Sequence, residues 1–249
     1  AGGATLRDAA GLNAALTIPG GRSLSDNKLL VVDGTAPTIA SITSTTANGT
    51  YGVGATINVT VNFSELVTLV GGNLTVNLDS GGTVTIAPFA SALSASGTYT
   101  VLTGQNSTDL NSFSPLVLAG GATLRDAAGN GATLTIPAGQ SLADNKAIVV
   151  DTTSPSITGV TSTSPNGLYG IGAAINVTVN FSEPVTLVGG NLIVNLDSGG
   201  TVTIAPFGPA ASASGIYTVA AGQSSADLNS LSPLVLAGGA TLRDAGGND

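Results

Sequence analysis

The chain has no cysteine, histidine, methionine or tryptophan, and its aromatic side chains are only four tyrosines and five phenylalanines in 249 residues. Without histidine or cysteine there is no Ser-His-Asp or Cys-His nucleophile, no ordinary zinc site, no haem or iron–sulfur ligation and no disulfide framework. Charge is equally scarce. Six Lys and Arg stand against fourteen Asp and Glu, a net charge of -8, so nothing supplies the basic patch that phosphate backbones require. Cations are the expected partners, and nucleic acid is not. Long apolar runs are also missing, and none approaches the roughly 20 residues of a membrane helix. The chain starts with no charged-then-apolar leader segment, so any export signal or anchor is expected elsewhere in a longer parent.

What is present is repetition. The segment AGGATLRDA starts at Ala1, returns at Ala119 and returns again at Ala237, a period of 118 residues. From Ile57 to Phe89 the match with Ile175 to Phe207 fails only at Leu66/Pro184 and Thr75/Ile193, which predicts one shared fold for both copies. The chain opens inside one repeat and closes inside another, the pattern expected of a piece of a longer array. The expected organisation is a C-terminal strand region of a preceding repeat over residues 1–33, a complete repeat over 34–151, and a repeat lacking its last strand over 152–249.

Within the repeat, Ile57 to Phe63 alternates apolar and polar residues strictly, the period-two signature of a strand with one buried face. Leu74 to Leu78 and Thr83 to Ile86 do the same around the turn Asp79-Ser80-Gly81-Gly82. Pro37 to Thr43, Gly97 to Val101, Pro115 to Arg125 and Ala132 to Ile136 with Ala147 to Val150 are further strand candidates, rich in Val, Ile, Leu and Thr. No segment sustains a helical period. About seven short strands per repeat, broken by Gly-rich turns, predict an all-β chain of tandem antiparallel immunoglobulin-like β-sandwiches. Val31 to Pro37 and its copy Val149 to Pro155 read as short, proline-stiffened linkers between repeats, suited to a rod.

The strings Val150-Asp151-Thr152-Thr153-Ser154-Pro155, Asn166-Gly167-Leu168-Tyr169-Gly170, Phe181-Ser182-Glu183-Pro184-Val185, Tyr217-Thr218-Val219 and Leu124-Arg125-Asp126-Ala127-Ala128-Gly129-Asn130 resemble the tandem bacterial immunoglobulin-like repeats of giant cell-surface and biofilm-adhesin proteins. The likeness runs the length of the chain. It implies an extracellular, array-forming spacer or stalk, often calcium-stiffened and without catalytic activity. The stretch from Ala87 to Leu93 departs from the family pattern by being less strand-like.

Every acid but Asp249 has an equivalent one period away: Asp8/Asp126/Asp244, Asp26/Asp144, Asp33/Asp151, Glu65/Glu183, Asp79/Asp197 and Asp109/Asp227. If strands alternate up and down, Asp33 at the linker, Glu65 at a strand end and Asp126 in the loop before the last strand fall at one pole, with Asn130 beside them. Converging carboxylates repel unless a cation lies between them. Calcium, which accepts six to eight oxygens in flexible geometry, is the natural candidate, with a Kd of about 10⁻⁴ to 10⁻³ M. The second expected set is Asp151, Glu183 and Asp244, joined by Asp109 from the far pole of the preceding repeat. Beside it stands plain turn chemistry, since Asp and Asn in DAAGN, SDN and DSGG hydrogen-bond their own backbone.

Other motifs carry less. Ser25-Asp26-Asn27-Lys28 fits S-x-x-K, but its copy begins at Ala143, so no serine acyl-enzyme is expected. The one lysine of each repeat sits beside Asp and reads as a solvated strand end rather than half of an isopeptide bond. Gly49 to Gly54 has no following helix to offer a phosphate, and the sequons at Asn58 and Asn62 fall on outward strand positions. The expected function is a non-enzymatic structural repeat. A ligand-binding adhesin module for a glycan or host protein is the alternative, and neighbouring copies of the chain, joined by strand complementation, are the expected partners.

Overall fold

Thr, Val and Ile carry two heavy atoms on Cβ and fit a pleated strand better than a helix. In the computed structural model, which describes residues 3–249, the regular structure is almost entirely β-strand, and the only helices among the described residues are two short segments, α1 (Leu24–Asn27) and α2 (Leu142–Asn145). Among the described residues no helix is long and apolar enough to cross a membrane.

The central element is β3 (Thr56–Val70), a fifteen-residue strand whose inward positions Ile57, Val59, Val61, Phe63, Val67 and Leu69 are all buried. Its first half pairs antiparallel with β1 (Ile39–Thr43), its second half with β8 (Thr123–Arg125), and its other edge with β6 (Phe89–Thr100). A second sheet consists of β5 (Thr83–Ile86), β4 (Leu74–Asn77) and β7 (Val117–Leu118). The apolar faces of the two sheets meet in one core that runs from Ile39 to Val150. Each fully buried Val, Ile or Leu contributes about 1.5–3 kcal/mol, so this inward file dominates stability. Gly97 lets the sheets approach, because a Cβ there would run into Val84 and the Thr85 carbonyl.

The pattern recurs one period later. Strand β11 (Ala174–Val188) pairs with β10 (Ile157–Thr161), β14 (Phe207–Thr218) and β16 (Thr241–Arg243). Strand β12 (Asn191–Leu196) lies between β13 (Thr201–Ile204) and β15 (Ser230–Ala237). Their apolar residues form a second core, from Val160 to Leu242. Phe63 stacks on Phe89 at 6.0 Å and Phe181 on Phe207 at 6.1 Å.

Four details depart from the sequence reading. Pro115 to Arg125 is two strands, β7 and β8, split by the Gly120-Gly121 turn, both glycines at positive φ. Of the stretch Ala87 to Leu93, Phe89 to Leu93 is drawn into β6, paired to β3 through Phe89 and Ala92. The pair β2 (Gly49–Tyr51) with β9 (Ile148–Val150) is parallel. In the stretch Ala132 to Ile136, only the isolated bridge at Thr133 is ladder-like.

By compactness the chain divides into Ala1–Thr35 and Ala36–Asp249. The first unit, read as a strand region, holds no named strand among its described residues. It has an antiparallel bridge between Arg7 and Asn13, and α1, whose N-cap Ser23 exchanges hydrogen bonds with Asp26.

Candidate metal centre

Glu183 occupies an interruption in β11. Phe181 is the last residue paired to β10, and Thr186 is the first paired to β16, so both partners use one edge of the strand and leave Ser182 to Val185 between them. On the other edge the β14 register jumps between Asn180 and Val185, which places a bulge at the same point. Pro184 therefore forfeits no ladder hydrogen bond. The strand that enters next to the gap is preceded by Asp151, and the strand that leaves it is followed by Asp244.

Carboxylate oxygens of Asp151, Glu183 and Asp244 lie within 4.8 Å of one another. Asp244 is buried, while Asp151 and Glu183 are half-buried. Burial raises the Glu183 pKa, and the negative charges of Asp151 and Asp244 raise it further. The surrounding hydrogen bonds hold the acids in place rather than neutralising them. The Asn248 side-chain amide donates to Asp244 Oδ2 at 2.8 Å and to the Asp151 carbonyl at 3.0 Å, while the Asn248 N–H donates to Asp244 Oδ1 at 2.9 Å. Asp151 Oδ1 accepts from the Thr153 N–H at 3.0 Å, and the Asp151 N–H donates to the Tyr51 carbonyl at 3.0 Å. Arg243, the adjacent cation, turns away to an exposed pair with Asp249, Nε to Oδ1 at 2.6 Å.

The donor set suits a hard cation. Two oxygens on opposite sides of calcium are about 4.6–5.2 Å apart, twice the usual bond length, so oxygens no more than 4.8 Å apart can share one ion. Zinc would want nitrogen or sulfur ligands, and the chain has neither histidine nor cysteine.

Of the other expected ligands, Glu65 lies inside β3 rather than at a strand end, at the equivalent break between the β1 and β8 pairings. Asp126 follows β8, and Asn130 donates to it twice, N–H to Oδ1 and side chain to Oδ2, both at 2.8 Å. Burial pushes the Asp126 pKa up, but these bonds and the Gly129 and Ala128 amides outweigh it and hold the pKa below the usual value. Asp33 belongs to the first compact unit, where its Oδ1 accepts from the Thr35 N–H at 2.9 Å. Asp109 is exposed and is not among the three carboxylates brought together. Its neighbour Asn106 reaches the linker instead, accepting from the Thr152 N–H at 2.7 Å.

Sequence reasoning missed Asn248, although its equivalence to Asn130 was a usable signal. The remaining repeated acids do structural work. Asp197 accepts from the Asn229 N–H at 3.0 Å and the Ser225 hydroxyl at 2.9 Å, and Asp144 accepts from the Ser141 N–H at 2.8 Å. These bonds lower both carboxyl pKa values, led by the Asn229 amide for Asp197 and the Ser141 hydroxyl for Asp144.

No protein-family model matches the chain, and no curated protein matches it significantly.

Proposed function

We propose that the chain is a non-enzymatic structural element, a tandem immunoglobulin-like β-sandwich repeat of an extracellular bacterial surface protein or filament. It acts as a rigid spacer stiffened by calcium. The observation that carries this reading is the convergence of Asp151, Glu183 and Asp244 where one apolar core ends at Val150 and the next begins at Val160. In a chain so poor in charge, three acids collected at the joint between two cores favour a cation as their common partner. A ligand that binds both sides of the linker restricts the motion of one core against the other. Asp151 belongs to the linker, and Glu183 and Asp244 belong to the second core's strand edge.

The reading predicts that the full chain melts higher in millimolar calcium than in excess chelator, because a ligand that binds only the folded state stabilises it by mass action. At about 10 mM calcium and the expected Kd the increment is about 1.4–2.7 kcal/mol. Calorimetry in the two buffers measures it, and coincident melting curves would sink the calcium claim.

A further inference from the structure

We propose that the residue at position 246 sets the angle between the two cores. Glycine there seats a loop of the second core directly against the first, and alanine, which stands at the same place of the loop one period earlier, would open the joint. This goes beyond the spacer reading and needs no bound cation.

Each side of the joint is fixed to its own core. The Asp151 N–H donates to the Tyr51 carbonyl at 3.0 Å, and Val150, the residue before it, is buried, so the start of the linker moves with β2, β9 and the first core. On the other side, Asp244 to Asn248 follow β16, whose pairing with β11 ties the loop to the second core. The loop closes on itself, the Asp244 N–H donating to the Asn248 carbonyl at 3.2 Å and the Gly247 N–H to the Asp244 carbonyl at 3.3 Å.

The two sides meet with no room for a side chain. A Cβ on Gly52, the residue after β2, would stand 2.3 Å from the Gly246 carbonyl oxygen and 3.2 Å from Asn248 Oδ1. A Cβ on Gly246 would stand 2.9 Å from the Asp151 carbonyl oxygen, 2.9 Å from Asn248 Nδ2 and 3.3 Å from Asp244 Oδ1. Neither glycine has a positive φ, so the backbone would accept a side chain at both places and only the lack of space excludes one.

The equivalent loop shows which contact decides. Asp126 to Asn130 makes the same bonds, the Asp126 N–H to the Asn130 carbonyl at 3.2 Å and Asn130 Nδ2 to Asp126 Oδ2 at 2.8 Å, with Ala128 in the place of Gly246. The loop fold therefore tolerates a methyl against its own Asp and Asn. What remains is the Asp151 carbonyl, which also accepts from Asn248 Nδ2 at 3.0 Å. A methyl 2.9 Å from that oxygen lies well inside ordinary contact, 3.4–4 Å. Asp151 is held by the first core and the loop by the second, and close-packed cores pass such a shift on rather than absorb it. Relief comes as a displacement of one core against the other. An array of such repeats thus carries joints of two angles, chosen by one methyl group.

The test compares Gly246→Ala with Ala128→Gly, the reverse exchange in the equivalent loop, in the full chain and in excess chelator. Residual dipolar couplings from β3 and β11 give the orientation of each core separately. Gly246→Ala is expected to rotate the two cores against one another by several degrees, while the couplings within each core still fit its native strands. Ala128→Gly is expected to leave the relative orientation unchanged. An unchanged orientation in Gly246→Ala, or an equal rotation in Ala128→Gly, would overturn the proposal. Loss of amide protection in β11 on Gly246→Ala would overturn it too, since the glycine would then serve the packing of the second core. With chelator present throughout, a rotation leaves the proposal standing even if calcium fails to raise the melt, and a calcium effect on the melt does not rescue an unrotated joint.

Discussion

Replacing Glu183 by Gln keeps the side chain's shape and removes one of three mutually repelling charges, so its effect on stability should reverse sign with the metal. Its carboxylate lies no more than 4.8 Å from those of Asp151 and Asp244. At that separation each like-charge pair costs about 0.9 kcal/mol at the dielectric of water and about 3.5 kcal/mol at an effective dielectric of 20. Glu183 is half-buried, which favours the lower end, so the substitution should relieve about 1–2 kcal/mol in chelator. For a unit of this size that is a rise of about 2–8 °C in Tm. In about 10 mM calcium the native chain gains the ligand increment and the variant loses a ligand, so the ranking should invert or close. Proton linkage gives a second check. The Glu183 pKa is raised in the folded state, so its favourable contribution is complete below the unfolded value near 4.5 and is lost as pH rises through the folded value. The advantage of the variant in chelator should therefore vanish below about pH 4, where the native side chain is also neutral. Scanning calorimetry at pH 4 and pH 7, with and without calcium, reads all four conditions. A variant that melts lower than the native chain in chelator at pH 7 would refute the repulsion argument and make Glu183 a structural acceptor.

Gly215→Ala should destabilise the second core by about 1–3 kcal/mol, because the new methyl meets Val202 and the Thr203 carbonyl, and calorimetry reads the loss. Gly52→Ala should cost a similar amount by colliding with the Gly246 carbonyl, loosening the loops that flank the linker, a change that hydrogen exchange at Asp151 and Asn248 would report. Tyr99→Phe removes a buried hydroxyl that accepts from Ser80 at 3.0 Å and donates to Gln105 at 2.8 Å, and should lower stability by about 1 kcal/mol in a denaturant titration. Asp197 has a depressed pKa, so its contribution is present above the unfolded value near 3.8 and is lost as pH falls; Asp197→Asn should flatten the acid limb of the melting profile between about pH 5 and pH 2.

The strands with clean alternation were legible because half of their residues face a core and half face water. Ile57 to Phe63 and Thr83 to Ile86 needed no tertiary information. The extension of β3 to Val70 was harder to see, since Ser64, Glu65 and Leu66 break the alternation where the strand changes partners. β6 was hidden for a related reason. Its residues from Phe89 to Ser96 are small, polar or partly exposed and gain their strand character from pairing along β3. The parallel β2–β9 pair joins residues 99 apart, Gly49 with Ile148, and no local pattern announces it. At the site, periodicity marked the acids, and strand parity brought Asp151, Glu183 and Asp244 to one place. Parity also assigned Asp109 to that junction, but the chain leaves the ladder after Thr100, and in the irregular turns beyond it Asn106 is the residue that reaches Thr152.

The joint is held first by short-range hydrogen bonds. The Thr152 N–H meets Asn106, the Gly104 N–H donates to Thr152 Oγ1 at 3.0 Å, Asn248 spans Asp244 and the Asp151 carbonyl, and Asp151 receives Thr153. The bonds to Asn106, Thr152 and the Asp151 carbonyl join neutral groups, so screening by salt should leave them intact, whereas those to the Asp244 and Asp151 carboxylates are charge-assisted. The three carboxylates are the opposing term, pushing the linker away from the strand edge of the second core. A cation that neutralises them adds no new fold and removes the one local force that opens the joint. Calcium should therefore change interdomain dispersion more than it changes either core. In residual dipolar couplings or small-angle scattering of the 36–249 unit, chelation should broaden the distribution of core-to-core distances while amide protection within β3 and β11 stays constant. Loss of protection in those strands on chelation would mean instead that the carboxylate cluster holds the strands themselves together.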